Sequence, residues 1–237
     1  MAGVLESVEW SKPIQRLLSR CDGLDGKLRT VMHIRHTERQ DFDDIRKRRT
    51  AMATPLGRKA AYEVGLRLHV DRSYRFFHTF YERTRETAQL IHEGLVERGV
   101  VSDVAGEMGS SMILDQEAYY KYAADNADSI RGASDFVEKW ISGSIPADIV
   151  LPSKMFAQRL AETTVSNLLS PGERSFHIYV SHDVWVAAVM HHWFNVEPDV
   201  YVAPLDGFIV QLAGSEMNVF LKDREMTLDY PEWWKNI

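Results

Sequence analysis

The chain has 237 residues, 45% hydrophobic and 26% charged, with a formal net charge of −6 at pH 7. That length supports a sizeable α/β core, and the acidic balance excludes a general electrostatic attraction to nucleic acid. The single cysteine, Cys21, excludes an internal disulfide, and no apolar run is long enough to span a bilayer.

Glu6, Glu9, Lys12 and Arg16 interrupt the apolar character of the first residues, so no secretory signal is read there. The expectation is a cytoplasmic protein with neither nucleic-acid nor membrane partners; the sequence is silent on oligomeric state. Residues 1–26 read as an N-terminal appendage, an amphipathic segment around Trp10 to Arg20 followed by a turn from Cys21 to Gly26.

Residues 28–34 form an apolar, β-branched run that predicts a buried strand. It ends abruptly in Arg35-His36, at the carboxyl end where open α/β sheets place ligands. The following segment, 38–53, is polar, and its block Arg46-Lys47-Arg48-Arg49 reads mainly as a solvated face, with a second anion contact as the minority reading. Thr54-Pro55 predicts a helix start with Thr at the N-cap and Pro at the first helical position. Ala61, Val64 and Leu68 continue it at helical spacing.

Tyr74 to Phe80 reads as an aromatic strand feeding a helix with Ala88, Ile91 and Leu95 on one side, and 100–104 as a further strand. Residues 106–150 show the least regular pattern and read as an insertion or lid: Gly106 to Ser111 is loop-like, and Tyr119-Tyr120-Lys121-Tyr122 is a lid or a packed helix. A helix is expected from about Ser153 to Leu169, stopped by Pro171-Gly172. Residues 175–181 repeat the first design, an apolar strand ending in a histidine, His182, before a buried helix from Asp183. Phe208–Leu212 and Met217–Leu221 read as paired strands. Alternating strands and helices argue for a single domain over residues 1–237, a three-layer α/β/α sandwich with a mostly parallel central sheet.

His33, His78 and His177 lie within strands and read as structural. His69 and His92 read as surface helix positions, and Arg85 as an ion-pair partner. His191-His192 is adjacent rather than at metal-ligand spacing and reads as a cationic cap on a helix end.

Three chemistries fail on their own residues. A cysteine phosphatase needs Arg six positions after Cys, but Lys27 stands there. An aspartate-nucleophile phosphatase needs Asp-x-Asp directly after a strand, and Asp41-Phe42-Asp43 follows Glu38-Arg39-Gln40 instead. No metal-ligand cluster or P-loop is present. What remains is Arg35, His36, Arg39, Arg83 and His182.

Arg35-His36-Thr37-Glu38-Arg39 resembles the Arg-His-Gly signature of the histidine phosphatase superfamily, which includes the phosphoglycerate mutases and the histidine acid phosphatases. Thr54 through Gly65 is similar to its first helix, Thr79 to Ala88 to its strand end with Arg-x-x-x-Thr-Ala, and Ser181-His182 to its second histidine. Thr37 departs from the usual Gly, and Thr79 and Phe80 from small Ser residues. Arg39 and His182-Asp183 resemble the acid phosphatase branch, whereas the short length resembles the mutase branch.

The resemblance implies a phosphoglycerate mutase-like fold and a metal-independent phosphomonoesterase without cofactor. In that chemistry His36 attacks a small phosphorylated substrate to give a phosphohistidine, Arg35, Arg39 and Arg83 clamp the phosphoryl oxygens, and His182 adds a donor. The general acid is left between Asp183, beside His182, and Glu107, in the loop where the mutase branch keeps its acid. A mutase-type phosphotransferase and a non-catalytic phosphate or phosphoprotein binder are the rival readings.

Overall fold

The computed structural model describes residues 3–42, 44–109, 111–170, 175–198, 201–232 and 234. The N-terminal segment is not an appendage. It holds α1 (Val4–Ser7) and α2 (Lys12–Cys21), and α2 carries Ile14, Leu17, Leu18 and Cys21 on one stripe that is buried against the sheet. That i, i+3, i+4, i+7 spacing is an apolar helical face, which must be covered.

The rest of the chain runs β1 (Arg29–Arg35), α3 (Pro55–Arg67), β2 (Tyr74–His78), α4 (Glu82–Glu97), β3 (Ser102–Glu107), α5 (Gln116–Asp125), α6 (Ala133–Ile141), α7 (Ser153–Leu169), β4 (Phe176–Ser181), α8 (Asp183–Phe194), β5 (Gly207–Ala213), β6 (Glu216–Leu221) and β7 (Arg224–Asp229). Among the described residues the strands make one seven-stranded sheet in the order β3-β2-β4-β1-β5-β6-β7. The expected parallel sheet is its first half: β3, β2, β4 and β1 pair in parallel. Beyond β1 the pairings with β5, β6 and β7 are antiparallel, so the sheet is mixed. β7 has no counterpart in the sequence reading. Its exposed positions, Arg224, Glu225, Thr227 and Asp229, are polar, so the short edge strand lacks an apolar run.

Both faces of the sheet are covered, giving the three layers expected. Along β1, Met32 and Ile34 enter one core with α2, α3 and α4, while Val31 enters the other with α6, α7 and α8, the period-2 alternation of a central strand. The helices that follow the adjacent strands β1 and β4 lie on opposite faces, α3 on one and α8 on the other. Such a reversal opens a crevice beyond the strand ends.

The α3 start follows its sequence signal: the Thr54 hydroxyl caps Gly57 N–H at 2.9 Å, with Pro55 first in the helix. Gly57 is required for a second reason. A Cβ there would collide with the Glu38 carbonyl oxygen, so α3 packs directly on the loop that follows His36. Within residues 106–150, the packed-helix alternative describes α5 and α6. Tyr119, Phe136, Val137 and Trp140 from α5 and α6 belong to the core, and Trp140 Nε1 donates to the Leu151 carbonyl at 2.7 Å. The expected stop of α7 at Pro171-Gly172 lies outside the described residues.

His33 is buried and stacked on Tyr179 and Phe208, structural as expected. His69 sits after α3, not on a helix. His192 is not the cationic cap expected of it. Burial, then His191, pulls the His192 pKa down to about 4, so that imidazole is neutral at pH 7, and it pairs with the Ser153 hydroxyl at 3.0 Å. Asn195, in the left-handed region at φ 54°, closes the end of α8 instead.

Candidate active site

Three adjacent parallel strands deliver the polar centre. His36 follows β1, His182 follows β4, and Thr79 and Arg83 follow β2. His36 is buried, and its Nδ1 lies 2.6 Å from the Thr37 carbonyl oxygen. A carbonyl only accepts, so Nδ1 carries the hydrogen. Arg83 Nε lies 2.9 Å from His36 Nε2, and a guanidinium only donates, so Nε2 carries a lone pair. Two independent partners therefore define one neutral tautomer. Burial above all, then the charges of Arg83 and Arg35, holds the His36 pKa well below the ordinary histidine value.

His182 stands edge-on to His36, ring centres 5.6 Å apart. Its Nδ1 accepts from Arg83 Nη2 at 3.3 Å, which leaves its Nε2–H to donate to the Thr79 hydroxyl at 3.0 Å. Burial and Arg83 likewise hold its pKa well below the ordinary value. As placed, His182 spends both nitrogens on orienting Arg83 against Thr79. Thr79, which replaces the small residue of the resembled pattern, is thus a working member of the centre. Arg83 is buried, its Nη1 donates to the Arg48 carbonyl, and burial lowers its pKa to about 10. It stays cationic at neutral pH.

These groups open into a cavity of about 430 Å³ lined by His36, Arg39, Arg48, Arg83, His182 and Asp183 together with a large apolar wall. Asp183 is the one carboxyl on its lining among the described residues. Arg35, expected as a phosphate clamp beside His36, does not line this cavity. Its Nη1 donates to the Val202 carbonyl at 2.6 Å and its Nη2 pairs with Asp183 at 3.3 Å, so its place is behind the carboxylate. Glu107 is not in a loop: it ends the edge strand β3, exposed and away from the cavity lining. Of the two acids, the structure brings only Asp183 to the histidines. Arg39 reaches the rim, its guanidinium over the Phe42 ring at 4.3 Å.

Arg48 is the residue that sequence reading undervalued. It comes from the basic block, which forms a short 3₁₀ turn over Ile45–Arg49. Side chains three apart eclipse in such a turn, and Ile45 and Arg48 are its two members on the cavity wall. Arg48 donates to the Tyr81 hydroxyl at 2.6 and 3.0 Å and to the Tyr119 hydroxyl at 2.8 Å. An isolated isoleucine three positions before an arginine in a polar stretch was the available signal. The bend at Thr37 tolerates its side chain because the hydroxyl donates to the Gly57 carbonyl at 2.8 Å and the backbone N–H donates to Thr87 Oγ1 at 3.2 Å.

Among the described residues, no group of three or more His, Cys, Asp or Glu is placed to hold a metal ion, and no helix is long and apolar enough to cross a membrane. The site can present a neutral imidazole nitrogen to an electrophile and surround an anion with guanidinium groups.

The sequence matches no protein-family model and no curated protein. Solved structures do share the fold. YhfR of Bacillus stearothermophilus is 16% identical at a TM-score of 0.55, over 81% of this chain and 96% of that one. A mycobacterial glucosyl-3-phosphoglycerate phosphatase, in complex with inorganic phosphate, is 15% identical at 0.53, over 83% and 97%. A mycobacterial protein named hydrolase 1 is 15% identical at 0.52, over 84% and 100%. The chain shares the α/β sandwich fold of these solved structures.

Proposed function

We propose that the chain is a phosphomonoester hydrolase that works through a phosphohistidine on His36, without a metal or other cofactor, on a small phosphorylated substrate. The observation that carries this reading is the tautomer of His36: a buried neutral imidazole, Nδ1–H on the Thr37 carbonyl, with the Nε2 lone pair at the cavity beside Arg83.

Nε2 attacks phosphorus in line, the N–P bond forms and the ester P–O bond breaks, its electron pair leaving with the alcohol oxygen. The Nδ1–H bond to Thr37 supports the positive imidazolium that results. Asp183, the carboxylate on the cavity wall, takes up the proton of a bound phosphate-ester monoanion and passes it to the leaving oxygen. It then takes one from the water that attacks phosphorus, breaks the N–P bond and releases phosphate. Charge is spread over the equatorial oxygens throughout, so fixed cations are the main catalytic resource. Arg83 is the central one, with Arg39 and Arg48 on the same cavity. Arg35 acts through Asp183, positioning that carboxylate rather than touching the phosphoryl group.

The test is hydrolysis of phenyl phosphate with excess EDTA by wild type and His36→Ala, with trapping of labelled phosphoenzyme by an alkaline detergent quench. EDTA-insensitive turnover with an acid-labile, alkali-stable adduct, both lost in His36→Ala, is expected. Retained activity in His36→Ala overturns the covalent step. Turnover that requires an added acceptor alcohol and releases little phosphate overturns hydrolysis in favour of phosphotransfer.

A further inference from the structure

The cavity is much larger than a phosphoryl group needs, and its remaining wall is of one chemical kind. At about 430 Å³ it falls within the roughly 300–1,000 Å³ range of pockets that enclose drug-sized ligands. The wall opposite the histidines is built by the segment between β3 and α7. On α5, Tyr119, Tyr122 and Ala123 line the cavity at i, i+3, i+4 spacing, and on α6 Ala133 and Phe136 do so at i, i+3. These are apolar helical faces of the kind that normally require covering. Here part of each face borders the cavity: Ile113, Tyr122, Ala123 and Ile130 are only half buried.

Polar groups are scarce on that wall. The hydroxyls of Tyr81 and Tyr119 are already engaged by Arg48. Among the described residues this leaves Ser111, the Tyr122 hydroxyl and the exposed Arg131 as its other polar side chains, few for a wall of this extent. A sugar or glycerate body in this space would give up water at most of its hydroxyls without a replacement partner, at a cost for each group left unpaired. A ring system would instead meet Phe80, Tyr119, Phe136 and Trp185, which offer stacking and edge contacts.

We infer that the apolar wall formed by α5 and α6 receives the leaving group, and that the substrate is the phosphomonoester of an apolar alcohol about the size of a fused bicyclic ring. The inference rests on the phosphomonoesterase reading and adds the substrate class to it. Ala123 sets the depth available to that body, since its methyl is the smallest side chain on the inner face of α5.

Two measurements on the intact protein separate this inference from the reading beneath it. Calorimetric titration with 1-naphthylmethylphosphonate and with methylphosphonate, neither of which can be hydrolysed, reads the wall without turnover. The bicyclic ligand should bind at least about tenfold more tightly, because its ring buries apolar area that the methyl group lacks. Steady-state kinetics with 1-naphthyl and phenyl phosphate, whose leaving groups are similar, should give a higher kcat/KM for the naphthyl ester, and Ala123→Trp should lower that ratio at least about tenfold. Equal affinity for the two phosphonates, or a higher kcat/KM for glucose 6-phosphate than for naphthyl phosphate, overturns the substrate class while His36-dependent turnover persists. Loss of all His36-dependent turnover with the phosphonate preference intact overturns the hydrolase reading instead.

Discussion

Arg83 donates through Nε to Nε2 of His36 across 2.9 Å, so the resting site spends its cation on the lone pair assigned to attack. An arriving phosphoryl oxygen must take over that donor before Nε2 is free, which couples anion binding to exposure of the nucleophile. His36→Ala should therefore lower kcat at least about 10⁴-fold while leaving phosphate affinity within a few-fold of wild type. Arg83→Ala should weaken phosphate binding and also lower kcat/KM by roughly 10²–10³. Phosphate titration alongside turnover checks both, and parallel losses in the two variants would break the assignment of roles.

Asp183 and Glu107 make opposite predictions. Asp183 lines the cavity and pairs with Arg35, whereas Glu107 is exposed at the end of β3. Asp183→Asn should cut kcat/KM for an alkyl phosphate by roughly 10²–10⁴, and less for 4-nitrophenyl phosphate, whose leaving group needs no proton. Glu107→Gln should change either substrate less than about twofold. A leaving-group-dependent loss in the Glu107 variant would move the acid to β3.

The depressed histidines set the pH behaviour. Because burial and the neighbouring guanidinium groups keep His36 neutral well below the ordinary value, kcat/KM should show no loss from its protonation as pH falls through the ordinary histidine value of about 6.5. Stability has a defined sign. Burial lowers the His33 pKa to about 3, so between that value and the unfolded value of about 6.5 the unfolded chain binds a proton that the folded chain does not. Stability is fully present above the unfolded value and falls as pH drops through this window. Each such group contributes at most about 1.4 kcal/mol per pH unit. Urea midpoints from pH 7.5 to 4.5 measure the slope. His33→Phe, which preserves the stack on Tyr179, should flatten it.

Gly57→Ala should destabilise the fold by about 1–3 kcal/mol, because the added methyl meets the Glu38 carbonyl behind the active loop. Thermal melts read the loss. A drop in kcat/KM beyond the loss of folded protein is expected too, since Thr37 is tied to Gly57 by its hydroxyl.

Much of this architecture was legible from local pattern. β1, β4 and the Thr54 cap announce themselves because burial, strand ends and capping act on neighbours in sequence. Strand-end logic points to the two histidines, and Arg83 enters through the family resemblance; the strand order puts all three beside one another. What escaped depended on contacts remote in sequence. Arg48 finds Tyr81 and Tyr119 from 33 and 71 residues away, and in a run of four basic residues only the isoleucine three positions before it marks which one turns inward. Arg35 sits in the right motif, but the Val202 carbonyl, 167 residues on, draws it behind Asp183. Glu107 looks like a loop acid in a glycine-containing stretch, yet pairing with β2 extends the strand through it. The N-terminal helices read as an appendage because the sheet face that buries them is assembled from distant strands.

The arrangement of α5 and α6 has an engineering corollary. His36, Arg83, His182 and Asp183 stand just beyond the ends of β1, β2 and β4, whereas much of the apolar wall is one continuous stretch of chain between β3 and α7, joined to their side of the cavity by the bonds from Arg48 to Tyr119 and Tyr81. On the hydrolase reading, most of the surface that would meet the leaving group, Phe80 and Trp185 excepted, is therefore on a different piece of polypeptide from the reacting groups. Residues 111–145 could be exchanged as a cassette, with Tyr119 kept as the anchor, to retarget the scaffold to other alcohols while its phosphoryl chemistry is inherited unchanged.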